Sequence, residues 1–166
     1  GLTAVTLMGV VLTLAVVGPL IWGEQAAAVD TSQMLAGPSP EHWAGTDNLG
    51  RDILARVLVA TRLSVVLALS ATAVAVSVGL LLGSGPMLVG RRFGRLLTGV
   101  VNIAVAFPGL LLALFFAVIF GVGAVGAVLA IGLAGAPSFA RLCQTLIAGV
   151  AQRDFVTAAR IAGVDR

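Results

Sequence analysis

The sequence predicts an all-α integral membrane protein with about four transmembrane helices. Hydrophobic residues make up 59% of its 166 residues and charged residues only 10%, whereas soluble domains carry roughly a quarter charged residues. Several charge-free stretches reach the ~20 residues that a helix needs to cross the hydrocarbon core. The arginines are also distributed unequally between the loops that these stretches define, which is typical of membrane proteins with a fixed orientation.

The first predicted transmembrane helix covers residues 1–22, because Leu2 to Trp22 carry no charge. A secretory signal peptide is the alternative, with Ala26-Ala27-Ala28 as its cleavage site, but the apolar run exceeds the ~7–15 residues of a signal core. The Gly18-Pro19 pair followed by Trp22 is typical of a helix end at a membrane interface.

A polar loop is predicted over residues 23–62, with five acids and three arginines. From Asn48 onward its sequence predicts an amphipathic surface helix that leads into the next span, with Thr46 or Asp47 as the N-cap. This next span is predicted over residues 63–90.

Small residues in the second predicted span favour close helix packing in lipid, notably Gly79 and Gly83. A short loop, residues 91–95, follows and contains three arginines.

The uncharged run from Leu96 to Ala140 is too long for one span. Its glycines at Gly121-Val122-Gly123 predict a break, so that one span covers residues 96–120 and another covers 124–150. The first of these two spans contains Asn102 and Phe107-Pro108, where the proline predicts a kinked helix.

Charge predicts the orientation. The 23–62 loop holds three arginines, and the opposite side holds seven, with Arg141 counted where the last span leaves the hydrocarbon. Because Lys and Arg accumulate on the cytoplasmic side, the 23–62 loop is predicted to lie outside and residues 151–166 inside.

Residues 151–166 contain a short helical pattern. Phe155, Ala158, Ala159 and Ala162 share one face at helical spacing. The helix has Asp154 at its start and Gly163 just past its end, both favourable positions. The interpretation is either a docking element for a partner protein or a plain connection between two spans.

Enzymatic, metal-binding and nucleic-acid-binding functions find no support in this composition. The chain has one histidine, His42, one cysteine, Cys143, and no lysine. These residues form no catalytic constellation and no metal-ligand spacing. The net charge of only +3, from scattered arginines, does not predict nucleic-acid binding.

Two motifs carry a resemblance to a known family. Gly45-Thr46-Asp47-Asn48-Leu49-Gly50-Arg51-Asp52 resembles the segment before the second span of dipeptide and oligopeptide ABC-transporter permeases. Asp154-Phe155-Val156-Thr157-Ala158-Ala159-Arg160, followed by Gly163, resembles the EAA loop with which such permeases dock on their ATPases. The resemblance covers the whole chain, from residue 1 to residue 166.

This resemblance implies the type I ABC importer permease fold and ATP-driven uptake of short peptides across the bacterial inner membrane. Its implied partners are a second homologous permease subunit, one or two ABC ATPase subunits, an extracytoplasmic substrate-binding protein, the peptide substrate and the lipid bilayer. It implies no cofactor. The chain has no lysine and no phosphate-binding loop, so ATP hydrolysis is expected in the partner ATPases.

Three sets of candidate site residues follow from the resemblance and the pattern. The ATPase-coupling set is Asp154, Phe155, Thr157, Ala158, Ala159, Arg160 and Gly163. The extracytoplasmic motif is Gly45, Thr46, Asp47, Gly50, Arg51 and Asp52, which either caps the second span or contacts the binding protein. The candidate pathway set is Asn102, Phe107 and Pro108, for which a helix–helix hydrogen bond and simple packing are the alternatives.

The chain departs from the family pattern at Thr157, where the family usually has glutamate. In the family two further spans follow the coupling loop, so a continuation beyond Arg166 is expected. Alternative functions are a permease for nickel or another small solute, and a membrane scaffold with a cytoplasmic docking helix. An intramembrane hydrolase is disfavoured, because no serine has a histidine in another span to activate it.

Overall fold

The computed structural model describes residues 1–153 and Ala162, and in this part of the chain the regular structure is helical. The order is α1 (Leu2–Ala27), a 3-10 turn (Thr31–Gln33), α2 (Ile53–Leu88), α3 (Arg91–Ala106), α4 (Gly109–Phe120) and α5 (Ala124–Ala151). Three helices, α1, α2 and α5, are long and apolar enough to cross a membrane, and α3 with α4 makes a fourth if the pair is one broken span.

Two compact units divide the chain, residues 1–68 and residues 69–166. In the first unit, α1 approaches the start of α2 closely at Gly18, where an added Cβ would lie 2.5 Å from the backbone oxygen of Leu58. Helix α1 also runs five residues beyond the predicted end at residue 22. The Gln25-Ala26-Ala27 stretch favours helix, and Pro19 is accommodated within it.

Helix α2 replaces the surface helix that the sequence predicts. Residues 48–52 form a turn, and one helix of 36 residues then runs from Ile53 to Leu88. Its N-cap is Asp52, whose Oδ1 accepts the backbone N–H of Ala55 over 2.8 Å. The side chains of the predicted caps, Thr46 and Asp47, form hydrogen bonds within the loop. The helix is capped instead by the next carboxylate, Asp52.

In the second unit, glycines bring α2 and α5 into close contact. A Cβ on Gly79 would lie 2.5 Å from the Cβ of Phe139, and a Cβ on Gly132 would lie 2.7 Å from the Cβ of Val74. Helix association in lipid depends on such van der Waals contact between small residues, which is the packing that the sequence predicts for Gly79 and Gly83.

The region predicted as one kinked span over residues 96–120 is two helices in the structure. Helices α3 and α4 meet at an angle of 104°. Phe107 is extended, with φ −78° and ψ 140°, and Pro108 precedes the first turn of α4. Proline disfavours helical conformation in the residue before it and cannot donate a backbone hydrogen bond, so the chain turns sharply instead of bending within one helix.

The loop between α4 and α5 lies where the glycines predict a break. Gly121 and Gly123 have positive φ values of 76° and 124°, which residues with a Cβ rarely adopt.

Candidate functional site

The extracytoplasmic motif predicted from the sequence folds into a closed turn before α2. Asp47 donates its backbone N–H to the carbonyl oxygen of Arg51 over 3.0 Å, and Gly50 donates to the carbonyl of Asp47 over 3.0 Å. Thr46 and Asp52 pair as an antiparallel bridge. Together these bonds hold the two ends of the motif side by side.

The carboxylate of Asp47 is the centre of this turn. Its Oδ1 accepts the backbone N–H groups of Leu49 at 2.8 Å and Arg51 at 3.1 Å. Its Oδ2 accepts Nε of Arg51 at 2.9 Å and lies 2.8 Å from Nη2 of the same guanidinium. Arg56, one turn into α2, forms a second ion pair with the same oxygen. Asp47 thus ties the turn to the first turn of the helix.

These contacts set the ionisation of Asp47. Burial is the largest influence and raises its pKa, but hydrogen bonds from the Leu49 backbone and from the Arg51 side chain and backbone outweigh burial. The pKa of the Asp47 carboxyl therefore lies well below its usual value.

Asp52 is the second carboxylate of the motif and is only 5% exposed. Besides capping α2, it places Oδ2 2.9 Å from Nδ1 of His42. Burial raises the pKa of Asp52, but the hydrogen bonds from the Ala55 backbone and from His42 outweigh it and lower the pKa. A buried carboxylate without such partners would be costly, so Asp52 is a positioning group for the loop and helix.

Thr46, Gly45 and Gly50 connect the motif to the segment that precedes it. The Thr46 hydroxyl accepts the backbone N–H of Ala36 over 2.9 Å and donates to the carbonyl of Gln33. Gly45 and Gly50 have φ values of 75° and 71°. A Cβ on Gly50 would overlap the backbone carbonyl of Asp30, so the motif accepts only glycine there.

The sequence did not indicate two members of this network. His42 enters the sequence analysis only as the single histidine, and Arg56 has no role assigned there. Both pair with motif carboxylates. Neither pair has a local sequence signal, because Arg56 lies nine residues from Asp47 and His42 lies ten residues from Asp52.

Of the candidate pathway residues, Asn102 lies within α3, whereas Phe107 and Pro108 follow its last residue, Ala106. Asn102 accepts a hydrogen bond at Oδ1 from Nη1 of Arg141 on α5, over 2.8 Å. Phe107 and Pro108 form the corner between α3 and α4 and lie apart from that bond in sequence. The structure thus provides the helix–helix hydrogen bond that the sequence offers as one alternative for Asn102.

The ATPase-coupling candidates, Asp154, Phe155, Thr157, Ala158, Ala159, Arg160 and Gly163, lie outside the described residues. Within the described part of the chain, no group of three or more His, Cys, Asp or Glu side chains is arranged to hold a metal ion.

Comparisons with known proteins agree with this helical architecture. Residues 75–166 match the family described as the binding-protein-dependent transport system inner membrane component. The nickel transport system permease protein NikC of Escherichia coli K12 is 33% identical over 136 residues, which are 82% of this chain and 49% of that protein. The dipeptide transport system permease protein DppC of Alkalihalophilus pseudofirmus is 33% identical over 153 residues, 92% of this chain and 50% of that one.

A third relative, the probable D,D-dipeptide transport system permease protein DdpC of Escherichia coli K12, is 30% identical over 164 residues, which are 99% of this chain and 55% of that protein. The chain spans about half the length of the curated relatives it matches. The family match alone covers more than half of the chain. The chain therefore belongs to the family of binding-protein-dependent transport system inner membrane components, multi-pass membrane proteins with the type I ABC importer permease fold.

Proposed function

We propose that the chain is part of a permease subunit of an ABC importer for short peptides. The observation that carries this proposal is the family match over residues 75–166. Among the relatives, the names of the dipeptide, di/tripeptide and glutathione permeases specify peptide substrates. The subunit forms one half of a translocation pathway with a second, homologous permease, and ATP is hydrolysed by one or two partner ATPases.

In this proposal the segment 151–166 couples the ATPases to the membrane. Asp154, Phe155, Thr157, Ala158, Ala159, Arg160 and Gly163 form its docking surface. The alanines allow close approach of a partner surface, and α5 leads directly into the segment because it ends at Ala151. When the ATPases close on ATP, the segment moves with them and α5 tilts as a rigid rod.

The motif Gly45–Asp52 has a structural role in this proposal. Both of its carboxylates are already bound inside the loop, Asp47 to Arg51 and Arg56 and Asp52 to His42. A binding protein that used these charges would have to break those pairs. The motif therefore fixes the loop on α2, and a binding protein docks on the loop as a whole.

Nickel is the second candidate substrate, because NikC is as similar to the chain as the dipeptide permease. An uptake assay distinguishes the two candidate substrates. The full-length subunit, assembled with its partner permease, ATPases and binding protein in proteoliposomes, should take up a labelled dipeptide when ATP is present inside. Uptake of nickel without dipeptide uptake would assign the second candidate.

The coupling role is tested by Gly163→Pro in the same assembly. We expect assembly with the ATPases and basal ATP hydrolysis to persist while dipeptide uptake is largely lost, because proline fixes φ at about −65° and cannot adopt the left-handed turn expected at this position. The control is Gly149→Ala in the last turns of α5, where the added methyl meets open space and uptake should be unchanged. Proline at the same position would not serve as a control, because it breaks the helix. Full uptake by Gly163→Pro would contradict the coupling role.

A further inference from the structure

Helix α3 begins with arginines whose positive charge has no acidic partner among the residues that the structure describes. Arg91, Arg92 and Arg95 lie within five residues, and residues 53–153 contain no Asp or Glu at all. The ion pairs of the described residues all lie in the loop before α2 and its first turn. Arg92 and Arg95 are exposed, so their charge is available to an external anion.

The same helix presents an exposed apolar face beside these arginines. Phe93, Leu96, Val100 and Ile103 follow helical spacing and are 56%, 66%, 56% and 65% exposed. On an α-helix, the direction of Arg92 falls about 20–40° from those of Ile103 and Leu96, at 100° per residue. A basic edge next to an apolar face is the pattern of a helix that contacts lipid headgroups and acyl chains together.

The apolar face continues into a groove at the corner between α3 and α4. The groove has a volume of about 480 Å³ and is lined by Val100, Ile103, Ala104, Phe107, Leu111, Leu112 and Phe115. Its lining carries no charged side chain, and its volume lies within the ~300–1,000 Å³ typical of small-molecule sites. The 104° turn at Phe107-Pro108 creates it by placing α4 across the end of α3.

We propose that this corner binds one anionic phospholipid, with the phosphate at Arg92 and Arg95 and an acyl chain along the apolar face into the groove. Charge complementarity selects the occupant. An arginine guanidinium binds phosphate oxygens strongly, and within a membrane the abundant phosphate belongs to lipid. A second protein subunit would cover the apolar groove but would leave the two arginines without an anion, unless it supplied acids of its own.

The test is native mass spectrometry of the complete subunit in its assembled transporter, purified into detergent with equal amounts of phosphatidylglycerol and phosphatidylcholine. The native protein should retain phosphatidylglycerol preferentially. Arg92→Gln and Arg95→Gln should each lower retention roughly fivefold, since each basic residue near an anionic surface contributes a factor of that order. Arg62→Gln, which removes an arginine from α2, is the matched control and should leave retention unchanged.

The groove is tested separately by Ala104→Trp, which fills it while keeping both arginines. Lipid retention should fall here too, with the transporter still assembled. Equal retention of the two lipids by the native protein, or equal losses in Arg62→Gln and Arg92→Gln, would overturn the headgroup site. Unchanged lipid retention in Ala104→Trp would by itself overturn the groove as the acyl-chain site, and a weakened association of the two permeases in the same variant would assign the groove to a protein partner. None of these readouts requires transport, so they stand apart from the proposed function.

Discussion

The carboxamide of Asn102 on α3 accepts a hydrogen bond from the guanidinium of Arg141 on α5, with 2.8 Å between Oδ1 and Nη1. Arg141 lies within the span α5 (Ala124–Ala151), 39 residues from Asn102 along the chain. A charged side chain in a membrane segment needs a polar partner. This bond supplies one and links two helices of the second unit.

Replacement of Asn102 by leucine should weaken the packing of α3 on α5. Polar contacts between membrane helices are worth about 0.6 kcal/mol on average and about 1.7 kcal/mol at most, so we expect a loss of that order in unfolding free energy. A double-mutant cycle with Arg141→Leu, measured by unfolding in mixed micelles, isolates the pair. Additive effects of the two substitutions would mean that the bond contributes nothing to stability.

Gly79→Ala should destabilise the contact between α2 and α5. The added methyl would lie 2.5 Å from the Cβ of Phe139 and 2.8 Å from the backbone oxygen of Ala136. Overpacking of a tight contact typically costs about 1–3 kcal/mol. Thermal unfolding of the purified subunit measures the change.

The matched control for this prediction is Gly99→Ala on α3, where no atom lies within 4 Å of the added methyl. Alanine favours helix over glycine by up to about 1 kcal/mol, so Gly99→Ala should be neutral or stabilising. If both variants shift the unfolding midpoint equally, helix propensity and not the interhelical contact accounts for the result.

Gly50→Ala should disrupt the turn that precedes α2. Gly50 has a φ of 71°, and a Cβ there would overlap the carbonyl of Asp30. We expect faster hydrogen–deuterium exchange across residues 30–52, measured by mass spectrometry. Gly37→Ala, in the same loop but with open space around its methyl, should exchange like the native protein; faster exchange in both variants would point to a loop that is loose throughout.

Acid should loosen the same turn through Asp47. In the folded protein the pKa of this carboxyl lies below its ordinary value of 3.8. A carboxyl with a depressed folded-state pKa contributes stability that is complete above its ordinary value and is lost as pH falls through the folded-state pKa. The protection of residues 45–56 from exchange, relative to the unfolded chain at the same pH, should therefore be constant from pH 7 to about pH 5 and fall only below the ordinary value near 3.8.

Asp47→Asn provides the comparison for this pH effect. The amide cannot form the ion pairs to Arg51 and Arg56, so residues 45–56 of the variant should be less protected at pH 7 and lose less further protection in acid. An acid response as large as that of the native protein would assign the effect to another carboxyl, with Asp52 and its partner His42 next in order.

The sequence by itself determined the membrane class, the helical fold and the family. These follow from local properties: charge-free runs of sufficient length for α1, α2 and α5, glycines at Gly121 and Gly123 for a break, and two short motifs that need no three-dimensional information. The sequence also predicted an interruption of the helix at Pro108, because the pyrrolidine ring restricts the backbone of its immediate neighbours.

Only the tertiary structure decided which side chains meet. Periodicity cannot show that Pro108 produces a 104° corner instead of a kink, since the size of a bend depends on what the two helices pack against. Nor can it pair His42 with Asp52, ten residues apart, or Asn102 with Arg141, 39 residues apart. Such partners are selected by the packing of whole elements, because a buried or membrane-embedded polar group must be satisfied by whatever side chain the fold brings within reach.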